Sequence, residues 1–511
     1  MNTIKKIFYL FLLIALALNP IFAKPANNQA TRTFLKPFQT FGSISRPTRV
    51  EEYLSPGGHF LIHYDNSGYN EVPQDYTYND SIPDFVIKAA EYLDRSFSEL
   101  HDSLGYNIPP TDNIESPEID VYFRSDYMYY GVTQPENEVE PDSDIWTSYL
   151  TLSTKLNDST VFYTYGLEGL SVTCAHELFH IFQLGYKFRS ADIFYFEMSS
   201  VWFEEHMFPE VNDYHSYFNE YAVDWNYAIN NGQLNYDNVG FNLYLDKRFS
   251  LPGDNIIHNI WDRIVNVSAL NAIRDELEDQ GSTFEEALKD WGSAQILCGP
   301  YVADNFLYPF DDASDMETIS FDNNTSNIIT SLNENISLPA DPMVSYFKVI
   351  GLPDQIFLFE AIFDDGTDAN LICLDGHQSE VRHIGSTPLI VDGGQFNDCI
   401  VAIGSDTEDA AGSFSFTALS ADQLVSLYPN PLTSKQTFNL SYVLLEDNLQ
   451  GQLAIYDLLG RKVYSRSLAE NYLSSGLHDL QFIPNDLSSG VYIVALHFDE
   501  TIIAEKFTFL K

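Results

Sequence analysis

The stretch VTCAHELFHIFQ, residues 172–183, combines two histidines and a glutamate at a spacing that can bind a metal ion. On a helix, residues four apart differ by about 40° in azimuth, so His176 and His180 project from one face. Both imidazoles can then reach one ion at about 2.0 Å. Glu177 lies at a similar azimuth, close enough to act on a water at that ion. The pattern His-Glu-x-x-His therefore predicts a hydrolytic zinc site.

A third protein ligand is needed, because catalytic zinc keeps three such ligands and a water. The stretch YFEMSSVWFEEHMF, residues 195–208, is typical of a second, largely apolar helix that carries Glu197 and Glu204 on one side. A carboxylate buried on such a helix requires a partner. The two glutamates are two turns, about 10 Å, apart along the axis, so only one of them can be the ligand. The residue pattern leaves both open.

The elements around these helices are strands and one amphipathic helix. Alternating apolar residues predict strands over 59–65, 118–124 and 146–156. The stretch 83–106 has apolar residues at helical spacing, with Pro83 before it and Gly105 after it. Asn79, Asp80 and Asp84 precede that helix and fit either a calcium site or helix capping. Helices dominate from 168 to about 294, which together predicts an α+β domain.

The C-terminal part of the chain changes to short apolar segments broken by Gly, Asp and Pro. This pattern predicts a β-sandwich over 318–422 and further short strands over 423–511. Two of the four cysteines, Cys373 and Cys399, fall within the sandwich, where an exported protein could bridge them. Cys174 is interpreted as a buried helix thiol rather than a ligand.

The N-terminus and the composition indicate export. Lys5 and Lys6 precede an apolar run of about a dozen residues, and Ala23 offers a cleavage position, so residues 1–23 are interpreted as a signal peptide. Residues 24–47 are interpreted as a leader or linker. The 26 basic and 73 acidic residues give a net charge of −47, which argues against nucleic acid as a partner. No later segment is apolar enough to span a membrane, so no membrane-spanning segment is expected.

Residues 176–180 with the following EMSSVWFEE resemble the gluzincin class of zinc metallopeptidases. More broadly, the chain over about 57–300 resembles a family of secreted bacterial metalloproteases. The resemblance implies zinc held by His176, His180 and Glu197, with Glu177 as general base. It also implies that the strand SYLTLSTKL is the edge strand that binds substrate backbone. The stretch NYDNVGFNLYL resembles the segment that supplies a catalytic tyrosine in aminopeptidase-like gluzincins and would assign that role to Tyr236; a packing role stays open.

A second resemblance covers the last 90 or so residues. The segments LYPNP, LAIYDLLGRKV, LSSGVYIVAL and EKFTFLK are similar to the C-terminal sorting domain of the type IX secretion system. The resemblance implies a source in the Bacteroidetes group. It also implies passage through the periplasm, and then export to the medium or the cell surface by the type IX machinery.

These observations predict a multidomain protein: an α+β zincin-like metallopeptidase domain at 48–317, followed by two β-sandwich domains at 318–422 and 423–511, the second being the sorting domain. The predicted function is hydrolysis of peptide bonds in a protein or peptide substrate, with zinc as cofactor and calcium as a further candidate. Two alternatives stay open. One is an inactive surface binding or adhesion protein on a metalloprotease-like scaffold, and the other is metal-dependent hydrolysis of a non-peptide bond.

Overall fold

The computed structural model describes residues 46–511 except 112–116, 232–235, 303–309, 339–341, 376–377, 386–387, 397, 408–409, 485–486 and 500. The predicted signal peptide and nearly all of the predicted leader lie outside the described residues. The described chain divides into two compact units, the first containing a mixed sheet and the second containing two β-sandwiches. Within the described residues, no helix is both long and apolar enough to cross a bilayer.

The first unit is built on a five-stranded sheet in the order β1-β2-β3-β5-β4. The central pairs β2–β3 and β3–β5 are parallel, and the outer pairs β1–β2 and β4–β5 are antiparallel. The strands are β1 (Glu51–Leu54), β2 (Phe60–Tyr64), β3 (Ile119–Arg124), β4 (Gly131–Glu138) and β5 (Trp146–Ser153). The predicted strands at 59–65, 118–124 and 146–156 are confirmed by β2, β3 and β5.

The prediction that SYLTLSTKL forms the sheet edge is wrong. Its strand β5 lies between β3 and β4, and β4 is the edge strand. All eight residues of β5 are buried, as expected for an interior strand. The alternation in a sequence identifies a strand but not its neighbours, which are set by pairing with residues far along the chain.

Two helices pack with this sheet, and the second of them carries the His-Glu-x-x-His residues. Helix α1 (Asp84–Ser98) confirms the helix predicted within 83–106 and continues as a short π-helix over Glu99–Ser103. Phe97 of α1 meets Phe60 of β2 edge to face, with ring centroids 6.0 Å apart. It meets Phe182 of helix α2 (Gly166–Tyr186) at 5.4 Å. Helix α2 starts at Gly166, whose φ of +68° suits glycine.

The remaining helices follow in sequence, and side chains cap the starts of two of them. They are α3 (Ile193–Met207), α4 (His215–Val223), α5 (Val239–Phe249), α6 (Ile256–Ile264), α7 (Ala269–Asp279) and α8 (Phe284–Ile296). The side chain of Asn255 caps α6 by accepting the amides of Ile257 and His258. Thr283 caps α8 by accepting the amide of Glu286. The prediction that helices dominate 168–294 is confirmed.

A β-sandwich follows, as the alternation in the sequence predicted. One sheet has the order β11-β10-β13-β8-β6 and the other β12-β9-β14-β7. Apolar residues of both sheets share one core, with Phe357, Leu371, Val401 and Phe414 among its members. The strands are β6 (Ile328–Ile329), β7 (Asn333–Ser337), β8 (Met343–Ile350), β9 (Ile356–Phe363), β10 (Thr367–Asp375), β11 (Gln378–His383), β12 (Leu389–Asp392), β13 (Asp398–Ser405) and β14 (Ala411–Ala418).

The cysteine pair suggested by the sequence is brought together in this sandwich. Cys373 of β10 lies directly opposite Cys399 of β13, and their Sγ atoms are 3.2 Å apart as free thiols. Both side chains are fully buried. The pairing register therefore places the two residues where an oxidising compartment could bridge them.

The last strands form a second, separate sandwich with its own core. Its sheets have the orders β15-β17-β20 and β16-β22-β21-β18-β19. The strands are β15 (Gln423–Tyr428), β16 (Leu432–Thr433), β17 (Phe438–Leu444), β18 (Gly451–Asp457), β19 (Lys462–Ser467), β20 (Gly476–Phe482), β21 (Gly490–Phe498) and β22 (Ile502–Leu510). The last strand pairs with both β21 and β16.

Helix α8 packs directly on the first sandwich at a glycine of β13. A Cβ atom at Gly404 would lie 2.1 Å from the carbonyl oxygen of Glu285 and 2.6 Å from the amide nitrogen of Lys289. The Nζ of Lys289 reaches Asp368 of β10 at 2.7 Å beside this contact. The close approach of helix backbone to strand backbone therefore requires glycine at 404.

We predict that Gly404→Ala lowers the free energy of unfolding by about 1–3 kcal/mol, the usual cost of overpacking. The added methyl meets backbone atoms of α8, which cannot move aside without breaking the helix. Gly385→Ala is the matched control, because the nearest atom to its Cβ is 3.9 Å away. Denaturant unfolding followed by circular dichroism measures both. Equal midpoints for Gly404→Ala and wild type would contradict the packing argument.

Candidate metal centre

Helix α2 holds the His-Glu-x-x-His residues in a buried position. His176 and Glu177 are each 1% exposed, and His180 is fully buried. The imidazole rings of His176 and His180 lie 4.6 Å apart and nearly perpendicular, which confirms the predicted shared face. Most other residues of α2 are also buried, and most of them are apolar, although Ser171, Thr173 and Gln183 are buried polar residues on the same helix.

His176, His180 and Glu197 form the one group of potential metal ligands of this kind among the residues that the structure describes. One donor atom from each lies within 4.8 Å of the other two, and all three residues are buried. Ligands about 2.0 Å from a tetrahedral ion lie about 3.3 Å apart, so small side-chain rotations would close this set on one ion. Two imidazoles and a carboxylate are the donor types that suit zinc.

Glu204, the second candidate for the third ligand, is not part of this group. It is 2% exposed and lies on α3, two turns beyond Glu197. The rise of the helix separates the two carboxylates along its axis by about 10 Å. The group of three therefore favours Glu197, in agreement with the interval that the gluzincin resemblance implied.

The orientation of His180 is fixed by a residue that the sequence analysis missed. Its Nδ1 lies 2.7 Å from Oε1 of Gln183, one turn further along α2. Because an amide oxygen only accepts, this hydrogen bond forms in the tautomer whose Nδ1 carries the hydrogen and whose Nε2 is unprotonated. Such outer partners orient a ligating imidazole. The spacing of three residues on one helix was the available signal for Gln183.

The carboxylate of Glu177 is held by strand β4. Oγ1 of Thr133 lies 2.7 Å from Oε2 of Glu177 and 2.8 Å from its backbone carbonyl oxygen. Glycine two residues earlier lets the strand approach, because a Cβ at Gly131 would lie 2.8 Å from Cγ of Glu177 and 2.8 Å from Cγ2 of Thr173. Thr133 is 44 residues from Glu177 in the sequence, so no local spacing could have identified it.

Tyr236, the predicted catalytic tyrosine, lies in the turn before α5. Its carbonyl oxygen accepts the amide of Val239 at 3.0 Å. Its half-buried ring stacks on Tyr217, with centroids 5.0 Å apart. These contacts describe a packing role, and the catalytic role stays a prediction.

In the predicted calcium cluster, the side-chain oxygens of Asp84 and Asn79 accept hydrogen bonds from backbone amides. Both carboxylate oxygens of Asp84 accept the amide of Thr77, and one also accepts that of Tyr78. Burial raises the pKa of Asp84, the amide hydrogen bonds lower it, and the net shift is downward. Oδ1 of Asn79 accepts the amides of Ser81 and Ile82. These contacts favour the turn and capping interpretation, and calcium binding stays a prediction.

Cys174, two residues before His176, is fully buried. Burial raises the pKa of its thiol well above the usual value, and the nearby Glu177 adds to the shift. A protonated thiol is a poor metal ligand, in agreement with the interpretation as a structural residue.

Comparison with known proteins identifies the C-terminal sandwich. Residues 426–509 match the family described as "Secretion system C-terminal sorting domain", inside the predicted range of 423–511. The chain is therefore exported by the type IX secretion system to the cell surface or the extracellular space. No curated protein matches the sequence.

The solved structures that match include several glycosidases, and the likeness to them is weak. They include β-glucuronidase from Parabacteroides merdae, with 12% identity over 33% of this chain and 28% of that chain, at a TM-score of 0.20. A GH2 β-galacturonidase from Eisenbergiella tayi has 11% sequence identity over 33% of this chain and 35% of that chain, with a TM-score of 0.19. β-Glucuronidase from Bifidobacterium dentium has 10% sequence identity over 34% of this chain and 40% of that chain, with a TM-score of 0.17. This chain thus spans well under half of the length of each enzyme.

The structures named above are β-glucuronidases and a β-galacturonidase, not peptidases, so they give no support to the prediction of a zincin-like metallopeptidase domain or to that of peptide-bond hydrolysis. Both predictions are corrected to the coarser statement that the chain is a multidomain protein with a mixed sheet and two β-sandwiches. At TM-scores this low the likeness assigns neither a glycosidase fold nor glycosidase activity to this chain. The physical reason for the correction is that a five-residue motif fixes the spacing of side chains on one helix, whereas a fold class depends on long-range pairing.

The sorting family gives a prediction about location. Deletion of residues 423–511 should leave the remaining chain in the periplasm, because the type IX machinery then has no signal to recognise. The assay is immunoblotting of periplasm, cell surface and medium in a type IX-competent host. Gly490→Ala in the full chain is the control, since its Cβ would meet nothing closer than 3.5 Å. Normal appearance of the truncated chain in the medium would rule out the sorting role.

Proposed function

We propose that this exported protein binds one zinc ion through His176, His180 and Glu197 and uses the site to hydrolyse a substrate. The observation that carries the proposal is the convergence of three buried donor atoms within 4.8 Å of one another. Burial supports it further, because a carboxylate and two imidazoles removed from water are stabilised by a bound cation.

The chemistry follows from the residues around this group. When bound, zinc would lower the pKa of a water ligand and polarise an oxygen of the substrate. Glu177 is the general base that accepts the proton of the attacking water, as its place next to His176 on α2 suggests. Thr133 donates to one carboxylate oxygen of Glu177 and so orients the carboxylate on α2. Gln183 keeps His180 in the tautomer that presents Nε2.

The first test is the metal content. We predict about one zinc per chain in the purified protein, and loss of zinc in His176→Ala and in His180→Ala, because two ligands cannot replace three. His206→Ala is the matched control, since this histidine is exposed on α3 and pairs with Glu99. Elemental analysis after dialysis measures the content. Wild-type zinc levels in both ligand variants would disprove the site.

The same measurement separates the two glutamates on α3. Glu197→Ala should abolish zinc binding. Glu204→Ala should weaken it by roughly 10–100-fold at most, the usual scale for an outer partner. Titration with a chromogenic chelator gives both affinities. An empty site in Glu204→Ala together with a loaded site in Glu197→Ala would replace Glu197 by Glu204 in the ligand set.

The second test separates metal binding from turnover. Glu177→Gln should retain zinc and lose roughly 10²–10⁴-fold in hydrolysis, because the amide has the same shape but cannot accept the proton. Glu168→Gln is the matched control, since Glu168 is exposed on the same helix. Undiminished turnover in Glu177→Gln would refute the role of Glu177.

The substrate panel contains chromogenic carboxylic esters, phosphate esters and glycosides. A mixture of quenched peptides is included because it tests the corrected peptidase prediction directly. A loaded site with no turnover on the whole panel would favour the alternative of an inactive binding protein.

A further inference from the structure

The turn that joins β18 to β19 exposes two adjacent leucines on the sorting domain. We call residues Asp457–Arg461 the leucine turn. Leu458 is 66% exposed and Leu459 is 79% exposed, although leucine is among the residues most often buried. Val463, two residues beyond the turn, is 44% exposed and lies at a bulge in β19. These three exposed apolar side chains lie within six residues of one another where β18 turns into β19.

The turn is held rigidly by one aspartate. Oδ1 of Asp457 accepts the amides of Leu459 at 3.0 Å and Arg461 at 2.9 Å. Its Oδ2 accepts Nε of Arg461 at 2.6 Å. The backbone closes around it, with the amide of Gly460 donated to the carbonyl of Asp457, and Gly460 adopts a φ of +77°. The leucines therefore project from a fixed turn and are not simply part of a loose loop.

The charge around the turn differs from that of the rest of the protein. Residues 423–511 contain nine acidic and six basic residues, whereas the whole chain contains 73 and 26. Two of the six basic residues, Arg461 and Lys462, are exposed directly beside the leucines. The leucine turn thus offers an apolar contact beside Lys462 and the Arg461–Asp457 ion pair, on a protein that is otherwise strongly acidic.

We propose that the leucine turn is the contact by which the sorting domain is recognised by a protein component of the type IX secretion machinery. The partner surface would be an apolar pocket bordered by carboxylates. The match to the sorting family requires that some surface within 426–509 be recognised. A rigid apolar projection meets the usual requirement for a binding anchor, because it buries leucine side chains without first having to be ordered. This inference does not depend on the zinc site.

The test is export of the full-length chain in a type IX-competent host. The double variant Leu458→Ser, Leu459→Ser should reduce the fraction in the medium and on the surface by at least about tenfold, because removal of central apolar anchors typically weakens binding by that amount or more. The variant should accumulate in the periplasm in folded form. Leu458→Met, Leu459→Met keeps the apolar contact and should be exported normally.

Leu449→Ser is the matched control. Leu449 is 93% exposed on the same domain, at the opposite end of β18, about 20 Å or more from the turn. It should be exported like wild type. Thermal unfolding of each purified variant checks that it is folded. If the double variant is destabilised, export of the single variants Leu458→Ser and Leu459→Ser is the test. Normal export of the serine variants, or an equal loss in Leu449→Ser, would overturn the proposal. The proposal would also be overturned if the wild type self-associates, the serine variants do not, and the serine variants are still exported normally.

Discussion

Burial of ionisable side chains on one apolar helix is the constraint on which the candidate site depends. His176, Glu177 and His180 are each at most 1% exposed on α2. Removing a charged group from water costs several kcal/mol or more unless hydrogen bonds or an opposite charge compensate it. Thr133 and Gln183 provide two of the hydrogen bonds. A divalent cation would add charge compensation that neutral partners cannot give, and this supports the zinc site that we propose.

The edge strand β4 fixes the position of the buried Glu177 carboxylate. Gly131 lets the strand approach α2, and Thr133 then reaches the carboxylate of Glu177. In the sheet, β4 lies at an edge, beside β5. The strand that orients Glu177 is thus an edge strand, a place that the sequence had suggested for β5.

The two β-sandwiches differ in their contacts, cores and surfaces. The first is fastened to helix α8 through the contact at Gly404 and the ion pair of Lys289 with Asp368. The second has a separate core, a weaker net charge and its own exposed apolar turn. Its nine acidic and six basic residues make it nearly neutral, in contrast to the strongly acidic chain as a whole.

The sequence by itself determined the local features of this protein. The His-Glu-x-x-His spacing placed His176 and His180 on one helix face, apolar alternation located β2, β3 and β5, and spaced motifs identified the sorting domain. Each of these depends on residues close together in the chain, where helical and strand periodicity fix the geometry. The donor group of His176, His180 and Glu197 was suggested by the sequence through a resemblance, and its convergence became visible only in the structure.

Only the tertiary structure decided which strand is the edge, that Thr133 reaches Glu177 across 44 residues, and that Cys373 lies opposite Cys399. These relations are set by pairing and packing between distant segments. Their free energy comes from burying shared surfaces rather than from local propensity. The fold class was mispredicted for the same reason: a short catalytic pattern specifies how a few side chains are spaced, and the order of strands in a sheet is decided by the whole core.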